Sequence, residues 1–154
     1  MKTIQKILVA VDFDEASLAA VDGAIDLAAT LGASVVLMHA YEVPIVALFP
    51  EGPLTSPVVD SAHLAKSSTS SLRALADARA GRGVPVEIVV REGVPWRQID
   101  EVADELGADL IVMGTKGRRG IMRALLGSVA EHVVRTAHQP VLTIPLSGEA
   151  VRAG

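Results

Sequence analysis

The chain reads as an α/β protein, an open five-stranded parallel sheet with helices on both faces. Three observations predict this. Short β-branched apolar runs alternate with longer segments of helical period. Half of the 154 residues are hydrophobic yet only 3% are aromatic, so the core must be built from Val, Leu, Ile and Ala. That is the composition of a sheet covered on both sides. Finally, a glycine-bearing segment follows the fourth apolar run and leads into a fresh amphipathic stretch.

Ile4 to Val11 is a β-branched run and predicts a central strand. Asp12-Phe13-Asp14 leads into a helix with Leu18, Val21, Ile25, Ala28 and Leu31 on one face, closed by Gly32 as its C-terminal cap. Ser34 to Tyr41 is the second strand. Residues 42–57 hold four prolines and one glycine, which predicts an irregular connection. A second helix is expected from about Val59 to Ala80, with Leu64, Leu72, Leu75 and Ala76 inward, and Gly81 and Gly83 end it. Val84 to Val90 is the third strand. Pro95 suits the first turn of a third helix, whose inward residues are Ile99, Val102, Ala103 and Leu106. Ala108 to Met113 is the fourth strand, stopped by Gly114. A last helix runs from Ser128 to about Ala137, burying Val129, Val133 and Val134, and Pro140 to Ile144 is the fifth strand. Such alternation requires right-handed crossovers and a parallel sheet. By length, residues 1–146 make one domain with no internal repeat, and 147–154 read as a flexible tail.

Composition removes several classes of function. Formal charge is −4, from 14 basic and 18 acidic residues, with no strongly basic block, which disfavours general nucleic-acid or anionic-membrane binding. There are no cysteines, so disulfides, thiol catalysis and cysteine metal sites are impossible. The apolar run after Lys6 is too short for a signal-peptide core, and no segment approaches the ~20 apolar residues of a membrane span. The default expectation is a cytoplasmic protein. His39, His63, His132 and His138 form no metal-ligand spacing, His39 is expected in or beside the core, and Trp96 at a helix start. No Ser-His-Asp, paired-carboxylate or lysine-nucleophile constellation can be argued.

The most informative stretch is 107–145. Gly114, Gly117, Gly120 and Gly127 fall within fourteen residues, and Ser128 follows the last of them. Glycine lets backbone approach a ligand closely, and a helix N-terminus presents unpaired N–H groups and the positive end of the peptide dipoles. Strand, glycine loop and helix start, in that order, suit a phosphate. The spacing matches neither the G-x-x-x-x-G-K-[ST] loop nor the dinucleotide fingerprint. What remains is G-x2-G-x9-G-S, which closely resembles the ATP-binding branch of the universal stress protein family. The resemblance extends to Ile7–Asp12, Val36–Ala40, Arg91–Pro95 and Pro140–Pro145, and so covers nearly the whole chain in order. It implies strand order 3-2-1-4-5, with a switch point between strands 1 and 4, where ligands of open α/β sheets bind.

Each candidate site residue has a plainer alternative. Gly114, Gly117 and Gly127 are phosphate-cradling residues or simple turn residues. Ser128 begins Ser128-x-x-Glu131, a capping box, while the functional reading has its hydroxyl and the N–H groups of Ser128 and Val129 meeting phosphate. Asp12 is a helix-capping strand end, or it holds a sugar or base donor or a Mg²⁺ ion bridged to the nucleotide; Mg²⁺ favours one or two carboxylates plus substrate phosphates. Ala40 would read the adenine edge through its backbone, with Val11 and Met113 as apolar walls, or as ordinary core residues. Lys116 and Arg118, with Arg119 and Arg123 nearby, are a solvated loop or assist the phosphates.

The resemblance implies a small regulatory protein whose ATP, ADP or AMP occupancy changes its interactions, and a homodimer formed through the last strand, Pro140 to Ile144. No base to activate water can be named, so any ATP hydrolysis is expected to be slow. The rivals are a nucleotide-using enzyme, a ligand-independent dimeric interaction protein and a cyclic-nucleotide binder.

Overall fold

The computed structural model describes residues 2–43, 61–115 and 126–146. Its elements are β1 (Lys6–Ala10), α1 (Glu15–Leu31), β2 (Ser34–Tyr41), α2 (Ser61–Ala78), β3 (Val86–Glu92), α3 (Pro95–Leu106), β4 (Leu110–Thr115), α4 (Ser128–Thr136) and β5 (Val141–Pro145). The five strands form one parallel sheet in the order β3-β2-β1-β4-β5, the order expected. Most of the proline-rich connection and the whole 147–154 tail lie outside the described residues.

Period-2 alternation divides the core into two layers. Ile7, Val9, Val35, Leu37, Leu110 and Val112 face one way, against Val21, Ile25 and Ala28 of α1 and Leu72 of α2. Leu8, Val36, Met38, Ile111 and Met113 face the other, against Ile99, Val102 and Ala103 of α3 and Ala130 and Val133 of α4. The central strands are buried on both faces, which is why they read as unbroken apolar runs. α2 contributes one fully buried large side chain, Leu72, and removing a buried leucine typically costs about 2–5 kcal/mol. The Arg79–Asp22 and Arg82–Asp26 pairs tie the turn after α2 to α1 at the surface, where such pairs contribute about 0–1 kcal/mol.

Helix ends follow local chemistry. Asp14 caps α1, its carboxylate accepting from the Ser17 N–H at 2.7 Å. Gly32 and Gly107 end α1 and α3 in the left-handed region, φ 68° and 62°, where a Cβ is disfavoured. Pro95 opens α3 at its first turn.

Four expectations need correction. Leu31 and Val134 are 44% and 50% exposed rather than inward. Leu31 is the last residue of α1. Val134 sits one residue past the buried Ala130–Val133 stripe, so it is turned about 100° away from it. Gly114 does not stop β4, which continues through Thr115 because pairing with β5 persists to Thr115↔Pro145. Ser128 is not a cap: the Glu131 N–H donates to the Gly127 carbonyl at 2.9 Å, making Gly127 the N-cap and Ser128 the first helical residue.

β5 lies at the sheet edge. The Ile111 N–H donates to the Pro140 carbonyl, so by parallel-ladder alternation positions 140, 142 and 144 point their backbone groups at β4. Positions 141, 143 and 145 then point theirs outward, and Pro145 has no N–H to offer. On the inner side, Ile144 presses into α1, and a Cβ on Gly23 would lie 2.5 Å from Ile144 Cδ1.

Candidate functional site

The carboxyl ends of β1, β2 and β4 and the first turns of α1, α3 and α4 converge on an open, concave crevice, the kind of place where small molecules bind. It lies at the switch point between β1 and β4, where the connections leave the sheet in opposite directions. Its floor and walls are apolar: Ala10 and Val11 from β1 and its end, Met38 and Ala40 from β2, Met113 from β4, Pro95 and Ile99 from α3. Val11 and Met113 are buried, so they serve as core and as wall at once.

One rim is acidic and tightly wired. The Asp12 N–H donates to Ser17 Oγ at 3.3 Å, and Ser17 Oγ donates to the Asp14 carbonyl at 3.2 Å. The Asp14 N–H donates back to Asp12 Oδ1 at 3.1 Å. Between them Phe13 holds φ 64°, a conformation rare for a bulky side chain and found where surrounding contacts enforce it. Its ring packs on His39 at 4.8 Å, and His39 Nδ1 donates to the Val11 carbonyl at 2.7 Å. Burial, with Asp12 beside it, pushes Asp14 above the ordinary carboxylate range.

The opposite rim is the start of α4, made by Gly127, Ser128, Val129 and Ala130. Gly127 supplies no side-chain cap, and among the described residues no side chain fills the first turn of α4 at the crevice. Across it, the first turn of α1 is already capped by Asp14. One helix start is thus filled by carboxylate and the other is open to an anion.

Gly114 has a packing role beside the one the motif suggests. A Cβ there would fall 2.5 Å from the Ala16 carbonyl carbon and 2.8 Å from the Ser17 nitrogen, both backbone of α1. The glycine is required for α1 to sit against β4, which brings Asp14 and Ser17 to the crevice.

The sequence model of the universal stress protein family matches residues 3–145. The chain belongs to the universal stress protein family. It is 38% identical over 141 residues to a universal stress protein of Methanocaldococcus jannaschii, covering 91% of this chain and 81% of that one. The structure of a universal stress protein family member from Burkholderia pseudomallei superposes with a TM-score of 0.74 at 28% identity, covering 94% and 98% of the two chains. A universal stress protein in complex with cAMP superposes with a TM-score of 0.68 at 29% identity, covering 95% and 100%.

Of the residues singled out in this universal stress protein, Val11, Asp12, Ala40, Met113, Gly114, Gly127, Ser128 and Val129 meet around one crevice. Gly117, Lys116 and Arg118 lie outside the described residues, as do Arg119 and Arg123. Asp14, Ser17 and Ile99 line the crevice without having been singled out as site residues. The Asp14-x-x-Ser17 spacing, a helix-cap signature just after Asp12, is the signal that could have found the first two.

Proposed function

We propose that this universal stress protein binds an adenine nucleotide in the crevice and acts as a regulatory protein of the cytoplasm, its occupancy altering contacts with partners. The observation that carries this reading is the uncapped start of α4 facing an apolar slot at the switch point. In it, phosphates sit on the N–H groups of Ser128 and Val129 beside Gly127, with Gly117, Lys116 and Arg118 assisting. Adenine lies between Val11 and Met113, its edge against the backbone of Ala40. Asp12 faces the ligand's donors, because the acidic rim would repel phosphate. The fit extends to Mg²⁺: Asp12 and Asp14 supply the one or two carboxylates that ion takes beside nucleotide phosphates, and bound Mg²⁺ would neutralise phosphate charge there. A cyclic nucleotide is the second reading, favoured by the cAMP complex of a relative 29% identical over nearly the same length.

The first test is thermal. ATP with Mg²⁺ at about a hundred times its Kd should stabilise the fold by about 2.7 kcal/mol, raising Tm by about 5–10 °C for a chain of this size. ATP, AMP and cAMP compared by calorimetry rank the ligands. No shift at millimolar ATP, with calorimetry silent, would leave a ligand-independent interaction protein as the better account.

Assembly through β5 is part of the same proposal. The outward groups of Val141 and Thr143 and the half-exposed Leu142 suit antiparallel pairing with a second copy about a two-fold axis. Pro145 confines that pairing to a short register. Thr143→Pro removes an outward N–H without touching the β4 ladder, so it should convert dimer to monomer in light scattering, as should Leu142→Lys. Wild-type protein that stays monomeric at tens of micromolar would remove this interface.

A further inference from the structure

We propose that His132 is a positioning residue of the phosphate site and makes anion binding there proton-linked; this rests on the nucleotide reading above. His132 stands one helical turn after Ser128 on the same face of α4, and helical side chains lean toward the N-terminus. Its Nδ1 lies 2.8 Å from the Ser128 carbonyl oxygen. A carbonyl cannot donate, so Nδ1 carries the hydrogen, and any further proton must add at Nε2.

One contact across the α3–α4 seam steadies the ring, and a second ties the backbone beside it. The ring stacks on Trp96, with centroids 5.2 Å apart and planes 18° from parallel. One turn further along α4, the Thr136 hydroxyl lies against Asp100 Oδ2 of α3 and against the carbonyl of His132 itself. The imidazole, though exposed, is therefore steadied between Trp96 and the Ser128 carbonyl. Protonation places a whole positive charge about one turn, roughly 5.4 Å along the axis, from the N–H groups assigned to phosphate, where it adds to the helix-end dipole.

Charged groups of α3 and α4 surround it. Arg97 lies 5.1 Å from the Trp96 ring, on the indole that His132 stacks against. Asp100 accepts from the Thr136 hydroxyl through Oδ2 and keeps its negative charge, which is common to wild type and variant in the test below. On α4 itself, Glu131 and Arg135 pair with each other at 2.6 Å.

The experiment compares ATP and adenosine binding by calorimetry between about pH 8 and about pH 5.5, the window in which imidazoles titrate. The proteins are wild type and His132→Asn. Asparagine keeps an amide donor within reach of the Ser128 carbonyl but cannot titrate. Wild type should gain about fivefold in ATP affinity on acidification relative to the variant, while adenosine, which has no phosphate, should show no such difference. Trp96, the chain's one tryptophan, reports the same event, because an imidazolium stacked on indole quenches its emission. The midpoint of that quenching should move to higher pH when ATP is added. ATP binding with the same pH profile in both proteins, or a Trp96 midpoint that ATP leaves in place, would overturn the role of His132 and leave the phosphate site standing. Absence of ATP binding in both proteins at every pH would overturn the nucleotide reading and this proposal together.

Discussion

Gly114→Ala is expected to lose about 3 kcal/mol of stability or more, lowering Tm by about 6–12 °C. The added methyl would lie 2.5 Å from the Ala16 carbonyl carbon and 2.8 Å from the Ser17 nitrogen. Neither atom is the far end of a flexible side chain. Relief requires the first turn of α1 to lift from β4, and that turn carries the Asp14 cap and the Ser17 bonds that organise Asp12. Nucleotide affinity should fall with the displaced rim, so the informative measurement is thermal or urea denaturation without ligand. A variant with wild-type Tm that merely binds ATP less well would mean that Gly114 serves the ligand rather than the helix.

Gly127→Val should give the opposite pattern. Gly127 has φ −63° and ψ 158°, extended backbone that valine accepts without strain. Valine is a poorer N-cap, which costs at most about 1 kcal/mol, or about 2–4 °C in Tm. Its branched side chain would stand at the mouth of the α4 start, where phosphate must approach. Loss of one or two charge-assisted N–H bonds, at about 1.5–3 kcal/mol each, predicts ATP binding weaker by about a hundredfold. Calorimetry beside a melting curve separates the two effects. A folded variant with normal affinity would show that the start of α4 is not the phosphate site.

The contrast between these glycines marks how far sequence reading reached. The apolar runs and helical stripes carried the fold, and β2 came out as Ser34–Tyr41 on both counts, because an octapeptide bounded by a helix-capping glycine and a proline-rich stretch leaves little freedom. The eight described residues assigned to the nucleotide meet around one crevice. What the pattern could not carry was contact between distant segments. Gly114 is glycine because of Ala16, 98 positions earlier, and no local spacing encodes that. Ser128-x-x-Glu131 obeys the capping-box rule, yet the helix starts one residue earlier, at a cap with no side chain, and a motif cannot tell the two apart. Leu31 and Val134 fit helical stripes by period, but whether a stripe has sheet beneath it depends on where the helix ends and how it is rolled.

The placement of α1 has a consequence for how the two ends of the molecule communicate. The helix is a rod of 17 residues, about 25 Å long, seated at two notches where a glycine stands in place of a side chain. At its start it rests on Gly114, beside the crevice; midway, Gly23 receives Ile144 from the edge strand. Under the proposed function, a tilt of the first turn of α1 on ligand binding would be carried to Ile144 and so to the edge strand proposed for self-association. Linkage then works in both directions: whatever factor ligand occupancy applies to self-association, self-association returns to ligand affinity.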